Sequence, residues 1–290
     1  MDLLNFIYKK LEKTRVYRYP SRVPSKIKLI VLLRIRNEEL IIRDTLEHLS
    51  SIADAIICYD DASTDKTFEI VSKHPKTIAV IRNFNWATKI EERLESETNH
   101  RKLLHELALE YNPEWILCAD ADERYIGDIR TYLETEEASS LDYIRIRLFD
   151  AYITPEDNEP YSGGPLAYFR KYFGPECRNI IMLWRASNQN IFYKGSDSRE
   201  PVVPESAVGM VHFYCQHYGK SLSIQHWEET CNYYSQYFPK ETYGQKWEAR
   251  KGKAVHTLSD FDRPLYPWGQ ELFMNSVIIH GYMDRSGDQK

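Results

Sequence analysis

Short, almost wholly apolar runs alternate with amphipathic stretches along the first half of the chain. The apolar runs are Ile27–Leu33, Ala55–Tyr59, Ile78–Ile81 and Trp115–Cys118. Their unbroken hydrophobicity and β-branched residues indicate strands that are covered on both faces. The stretches with helical spacing between them are Ile41–Leu49, Thr67–Lys73 and a longer one that ends near Tyr111. This order predicts right-handed crossovers and an α/β fold, with a mainly parallel, Rossmann-like sheet flanked by helices.

The segments on either side have different patterns. Residues 1–26 place apolar side chains at helical spacing and then enter "YRYPSRVPS", which predicts a short helix and a proline-broken connector. The basic residues of this segment suit either packing on the domain or contact with an anionic membrane surface. After residue 140, "YIRIRLF", "NIIMLW" and "AVGMVHFY" predict strands, and Ser221–Tyr237 predicts a helix. We therefore expect 27–140 and 141–290 to be two halves of one domain.

Composition narrows the classes of function. The 290 residues are 42% hydrophobic, and a net charge of -5 with interspersed signs argues against nucleic acid as a partner. No apolar run reaches membrane-spanning length and no signal peptide is recognisable, so we expect a cytoplasmic protein, with the inner face of a membrane as an alternative location. The five cysteines form no CxxC pair and are expected to be reduced and structural. GxGxxG, P-loop and GxSxG motifs are absent as well, which argues against dinucleotide, P-loop and hydrolase-elbow chemistry.

Every predicted parallel strand is followed by polar residues, in the order "RIRNEE", "DDASTD", "RNFNW" and "DADER". Ligands of open α/β sheets bind outside the carboxyl ends of the strands, so these four exits form one candidate site. In the last exit, Asp120 and Asp122 with Glu123 suit Mg²⁺ or Mn²⁺ shared with a phosphate-bearing substrate; the alternative is a solvated acidic turn that caps a helix. In the second, Ser63 and Asp65 are expected to cap the following helix.

Together these fragments resemble the family 2 type of glycosyltransferase, which has a GT-A fold. "RIRNEE" is similar to its first-strand signature, "YDDASTDKT" to its "DDGSTD" element with Ala62 in the usual glycine place, and "WILCADADE" to its "DADE" variant of the DxD motif. The match in order and spacing covers about residues 28–125. By this resemblance, 27–140 is the nucleotide-sugar-binding half and 141–290 the acceptor-side half with a helical C-terminal extension.

The resemblance also implies roles for individual residues. Asp61 corresponds to the residue that contacts the nucleobase, Asp120 to the acid near the ribose, and Asp122 to the ligand that holds the divalent cation. The residues implied to line the nucleoside pocket are Asp60, Arg34, Arg36 and Glu38. Arg101 is expected to reach a phosphate, although Glu97 and Arg101 at i,i+4 also suit an ordinary helix-surface ion pair.

The resemblance further implies a catalytic base and an additional metal ligand after residue 190. Inverting transfer needs a carboxylate to take the acceptor proton. Glu200, with Asp197 second, is the candidate, against a loop salt bridge with Arg199 or Arg185. His217, with His212 second, is the candidate for contact with the metal or diphosphate, against a structural role. Five aromatic residues are expected to form either the wall of the acceptor site or part of the core: Trp184, Tyr214, Tyr218, Trp227 and Tyr233.

The resemblance thus implies a glycosyltransferase that uses Mn²⁺ or Mg²⁺, takes a nucleotide-sugar donor and inverts the configuration of the sugar. The acceptor is expected to be a glycan, a lipid-linked molecule or a protein. The rival predictions are a sugar-nucleotide nucleotidyltransferase, against which the glycine-free "RIRNEE" argues, and a non-catalytic carbohydrate-binding protein on the same fold.

Overall fold

The computed structural model describes residues 14–195 and 198–279 of the chain. Its strands are β1 (Thr14–Arg18), β2 (Leu29–Ile35), β3 (Ala55–Asp61), β4 (Thr77–Asn83), β5 (Trp115–Asp120), β6 (Glu123–Ile126), β7 (Tyr143–Ala151), β8 (Tyr172–Arg185), β9 (Gly209–His217), β10 (Tyr266–Pro267) and β11 (Val277–Ile278). Its α-helices are α1 (Ile42–Ile52), α2 (Thr67–Lys73), α3 (Ile90–Leu109), α4 (Ile129–Tyr132), α5 (Glu136–Ser139), α6 (Ile224–Tyr237), α7 (Gln245–Glu248) and α8 (Gln270–Met274). Pro20–Arg22 form a 3₁₀ turn and Lys240–Gly244 a π turn.

The chain forms two compact units. Unit 1 comprises Met1–Ala121, Asp128–Ile144 and Ile181–Met210, and unit 2 comprises Asp122–Gly127, Arg145–Ile180 and Val211–Lys290. Strands β7, β8 and β9 each contribute residues to both units. The sequence-derived halves 27–140 and 141–290 stay a prediction.

Unit 1 contains the parallel sheet. Its strand order is β1-β4-β3-β2-β5, and the pairs β2 with β3, β3 with β4, and β2 with β5 are parallel. Counted along the chain, the four parallel strands therefore have the order 3-2-1-4, which is that of the doubly wound Rossmann half. Helices connect successive parallel strands, so the predicted α/β fold class, a Rossmann-like sheet flanked by helices, is confirmed.

The parallel strands extend two residues beyond the predicted apolar runs, into the polar exits. The ladder continues through the pairs Arg34 with Asp120 and Asp61 with Asn83. Because backbone pairing does not depend on side-chain polarity, the first acids of both motifs lie on the last rungs of the sheet and not in loops. The order of the strands reverses between β2 and β5, which is the position at which such sheets bind ligands.

The edge strand β1 was not predicted. It pairs antiparallel with β4, with Val16 opposite Ile81, so the prediction that "YRYPSRVPS" is only a connector was wrong for its first two residues. The strand has only five residues and alternates weakly, so its sequence signal is slight. The helix expected before it lies outside the described residues.

Unit 2 is built on antiparallel strands. β6 pairs with β9, with Glu123 opposite His217, and β9 neighbours β7, which neighbours β8. The predicted second-half strands are confirmed, and β8 is longer than the sequence indicated. The predicted helix from Ser221 begins at Ile224, because the Ser223 hydroxyl caps it by accepting a hydrogen bond from the His226 N–H at 3.0 Å.

Two further expectations concern the cysteines and the membrane. All five cysteines are free thiols and buried, as predicted. Within residues 14–195 and 198–279, every helix is too short or too polar to cross a lipid bilayer.

Candidate active site

The acidic motif spans the boundary between the units. Asp120 belongs to unit 1, whereas Asp122 and Glu123 belong to unit 2. The surroundings of each part are therefore described within its own unit.

In unit 1, the exits of β2 and β3 are tied to each other by hydrogen bonds. The Asn37 N–H donates to the Ser63 hydroxyl at 3.0 Å, and the Glu38 N–H donates to the Thr67 hydroxyl at 2.7 Å. The prediction that Ser63 caps α2 was wrong, because its hydroxyl accepts from the loop after β2. The prediction for Asp65 is confirmed, because Asp65 Oδ1 accepts from the N–H of Thr67, the first residue of α2, at 2.9 Å. Asp65 Oδ2 also holds the loop after β2 by accepting from the Glu39 N–H at 3.0 Å.

Ala62 and Arg36 complete this turn. Ala62 has a φ of 56°, in the left-handed region that favours glycine, which explains why glycine is usual at this place in the resembled motif. The Arg36 guanidinium donates to the carbonyl groups of Asp61 and Ala62 at 2.6 and 3.0 Å and lies 4.2 Å above the Trp86 ring. Arg36 therefore helps to hold the turn in its left-handed form.

Asp61 is buried and fully engaged. Its carboxylate accepts from Asn83 Nδ2 at 2.9 Å and from Arg93 Nη1 at 3.0 Å, and its exposure is 1%. Burial alone would raise the pKa of Asp61, but Arg93 and Asn83 hold that pKa below its ordinary value. Asp60 has no exposed surface; burial raises its pKa, although Arg82 Nε lies 3.2 Å from its Oδ2.

Helix α3 carries a row of charges along the sheet exits. Glu97 accepts from Arg34 at 2.5 Å and from Arg93 at 2.8 Å, so Asp61, Arg93, Glu97 and Arg34 form one chain of ion pairs. Burial would raise the pKa of Glu97, yet the neighbouring arginines lower it to about 2. Sequence reasoning missed Arg93; its i,i+4 spacing from Glu97 was the available signal.

Arg101 points to the acidic motif. Its side chain lies 3.4 Å from Asp120 Oδ1, and it reaches Glu97 only through the backbone carbonyl at 3.2 Å. The structure thus brings together Arg101 and Asp120, both of which were predicted to bind the nucleotide sugar. The alternative, an ion pair between the side chains of Glu97 and Arg101, does not form. Arg199 also donates to Asp120, a contact that the sequence did not predict.

In unit 2, Asp122 faces His217. His217 Nε2 lies 3.3 Å from Asp122 Oδ2, and its Nδ1 lies 2.6 Å from Asp150 Oδ1. Burial alone would lower the pKa of His217, but the charge of Asp122 and the hydrogen bonds to both carboxylates raise it to about 10. Asp122 and His217, two of the three residues predicted from the sequence as metal ligands, are therefore direct neighbours.

Both side chains of this pair approach the Gly219 backbone closely. A Cβ atom at this position would lie 2.5 Å from Asp122 Oδ2 and 2.9 Å from His217 Nε2, closer than real contacts allow. A carboxylate oxygen and an imidazole nitrogen 3.3 Å apart are ligand types that suit a divalent cation such as Mn²⁺. Among the described residues, no group of three or more His, Cys, Asp or Glu side chains is placed to hold a metal ion.

The remaining candidates have other surroundings. Glu123 is fully buried and accepts from the Tyr125 hydroxyl at 2.7 Å. His212 packs edge-on against Phe213, with 4.3 Å between ring centroids. Glu200 accepts from the Ile181 N–H at 3.0 Å, and Asp197 lies outside the described residues.

The aromatic candidates separate into core and surface. Trp184, Tyr218 and Trp227 have no exposed surface and belong to the core. Tyr214 is half-buried and stacks on Phe273, with 4.2 Å between the centroids and 9° between the planes. The choice between acceptor wall and core is therefore decided for the first three, in favour of the core.

Comparisons with known proteins give the following likenesses. No protein-family model matches the chain. The uncharacterized proteins Mb3815c of Mycobacterium bovis and Rv3786c of Mycobacterium tuberculosis are each 29% identical over 102 residues, which is 33% of this chain and 23% of theirs. The chain thus matches about a quarter of the length of these curated relatives.

Solved structures give low TM-scores. S. aureus TarS 1-349 in complex with UDP is 15% identical, with a TM-score of 0.36 over 74% of this chain and 73% of that one. The mannosyltransferase PcManGT from Pyrobaculum calidifontis, in complex with GDP-Man and Mn²⁺, is 13% identical, with a TM-score of 0.40 over 87% and 72%. A putative glucose-1-phosphate thymidylyltransferase from Bacillus anthracis is 10% identical, with a TM-score of 0.28 over 79% and 84%. Likenesses of this size carry no argument about activity.

Proposed function

We propose that this chain is a glycosyltransferase that takes a nucleotide-sugar donor and holds its diphosphate with Mn²⁺ or Mg²⁺. The observation that carries the proposal is the pair Asp122 and His217, 3.3 Å apart and packed against the Gly219 backbone.

In this proposal, the nucleoside lies at the carboxyl ends of β2 and β3. The residues there are Arg34, Arg36, Glu38, Asp60 and Asp61. The end of β2 borders the switch point of the sheet, and Arg34 pairs with Asp120 across it. The guanidinium groups of Arg101 and Arg199 lie against Asp120. In this position their positive charge would attract the phosphate groups of a bound donor.

The proposed reaction is inverting transfer. The acceptor oxygen bonds to the anomeric carbon, the bond from that carbon to the diphosphate oxygen breaks, and the acceptor proton goes to a carboxylate base. Glu200 and Asp197 are the proposed bases. A bound divalent cation would stabilise the negative charge that develops on the leaving diphosphate. A glycan, a lipid-linked molecule or a protein is the proposed acceptor.

A screen of nucleotide sugars by thermal unfolding with Mn²⁺ tests the proposal. A donor at one hundred times its dissociation constant is expected to raise the melting temperature by about 5 to 10 °C. Chelation of the metal or the substitution Asp122→Ala is expected to abolish the shift. Nucleoside triphosphates with sugar 1-phosphates form the parallel arm, and stabilisation by these alone would favour the nucleotidyltransferase. Stabilisation by none of the donors would contradict the proposal.

A further inference from the structure

Asp150, at the end of β7, holds the side of the His217 ring that faces away from Asp122. Its Oδ1 lies 2.6 Å from His217 Nδ1, while the opposite nitrogen, Nε2, lies 3.3 Å from Asp122 Oδ2. The imidazole is thus held between two carboxylates of the same unit. No sequence motif pointed to Asp150, which follows the strand signal "YIRIRLF" directly.

Asp150 is itself held in place by two cations. Arg178 Nη2 on β8 donates to its Oδ1 at 2.8 Å, and Lys220 Nζ lies 3.7 Å from its Oδ2. Lys220 is also paired with Asp260, which in turn accepts from Arg250 at 2.7 Å. The carboxylate therefore has a fixed position on a strand, as an orienting group needs.

An imidazole that binds a metal through one nitrogen commonly donates its other N–H to a carboxylate, which fixes the tautomer and the ring orientation. We propose that Asp150 is the positioning residue of the metal site: it accepts the Nδ1–H of His217 and so presents Nε2 toward Asp122. This role rests on the proposed metal-dependent function. It adds a residue that acts on the cation through His217.

The competing role is structural, in which Asp150 only neutralises Arg178 and Lys220. Asp260→Asn is the matched control, because it removes a partner of Lys220 without touching His217. A double-mutant cycle with His217→Gln separates the two roles further. A residue that acts through His217 has no additional effect once the imidazole is gone, whereas an independent structural effect adds.

The experiment measures binding of Mn²⁺ alone to the full chain by the electron paramagnetic resonance signal of free Mn²⁺. Asp150→Asn is expected to weaken Mn²⁺ binding by about 10- to 100-fold, and Asp260→Asn to change it by less than about twofold. In the His217→Gln background, Asp150→Asn is expected to cause no further loss. Circular dichroism checks that each variant is folded. If Asp150→Asn fails to fold, Asp150→Glu keeps the charge beside Arg178 and Lys220 but displaces the oxygen from Nδ1, and the same loss is expected.

Unchanged Mn²⁺ affinity in Asp150→Asn, or an equal loss with and without His217, would overturn the positioning role alone. A wild-type chain that takes up no Mn²⁺ would overturn both this role and the metal-dependent function.

Discussion

Glu97 is the central charge of the buried ion-pair chain in unit 1, and its neutralisation gives a quantitative prediction. The carboxylate contacts Arg34 at 2.5 Å and Arg93 at 2.8 Å, and the Arg93 side chain has no exposed surface. Glu97→Gln keeps the shape of the side chain but leaves two arginines facing a neutral group. Removal of one partner of a buried ion pair costs about 3 to 5 kcal/mol.

The pKa of Glu97 gives a second route to the magnitude. Its pKa falls from an ordinary value of 4.5 to about 2 in the folded chain, and a shift of this size corresponds to about 3 kcal/mol. Because the folded pKa is lowered, this stability is fully present above about pH 4.5 and is lost as the pH falls toward 2. The two routes agree, so we expect Glu97→Gln to lower the free energy of unfolding by about 3 kcal/mol at pH 7.

Urea unfolding at pH 7 and pH 3.5, followed by circular dichroism, measures this loss. The difference between wild type and Glu97→Gln is expected to shrink by about 1.4 kcal/mol for each pH unit below 4.5. Glu69→Gln is the control, because Glu69 pairs with Lys73 on the exposed face of α2, and its midpoint should match the wild type. A loss below about 1 kcal/mol at pH 7, or one that is independent of pH, would refute the reasoning.

Two further substitutions test the same sites. Burial lowers the pKa of His100 to about 3 in the folded chain. The unfolded chain therefore takes up a proton at a higher pH than the folded chain, and stability is lost as the pH falls below 6.5. His100→Phe keeps the stacking on Tyr59 and should flatten the dependence of the urea midpoint on pH in this range, whereas an unchanged slope would count against a neutral His100. Gly219→Ala should weaken Mn²⁺ binding more than tenfold in a metal titration, because its Cβ would lie 2.5 Å from Asp122 Oδ2 and displace that carboxylate. Gly244→Ala is the matched control, because a Cβ there meets Lys240 at 3.5 Å and the Pro239 carbonyl oxygen at 3.7 Å, both ordinary contacts. Equal affinities in the two variants would show that the close packing of Asp122 on Gly219 does not matter for the metal.

Much of the fold was predictable because the parallel strands of unit 1 are buried on both faces. The boundaries of α2 matched the prediction, and the order of strands and helices gave the Rossmann-like sheet. The carboxyl ends of the strands were harder to predict, because Asp61 and Asp120 continue the backbone hydrogen-bond ladder although their side chains are charged. β1 was not predicted, because this edge strand of five residues lacks a hydrophobic face.

The candidate site was predictable where local motifs carry it. Asp122 and His217 were both named from the sequence, and the structure places them side by side. Arg199 and Asp150 were not found, because each meets its partner across more than sixty residues of chain, at separations of 79 and 67. The contact between Arg101 and Asp120 could not be chosen from the sequence, because it depends on which face of α3 packs on the sheet. The i,i+4 spacing alone is equally compatible with a contact between Arg101 and Glu97.

Calorimetric titration of UDP and of GDP, each with and without Mn²⁺, tests most directly whether the acidic motif holds a nucleoside diphosphate through a divalent cation. The account predicts that one of them binds the wild-type chain with Mn²⁺, and that binding is lost without the metal and in Asp122→Ala. Nucleotide binding that is equal with and without Mn²⁺, or that survives Asp122→Ala unchanged, would contradict it.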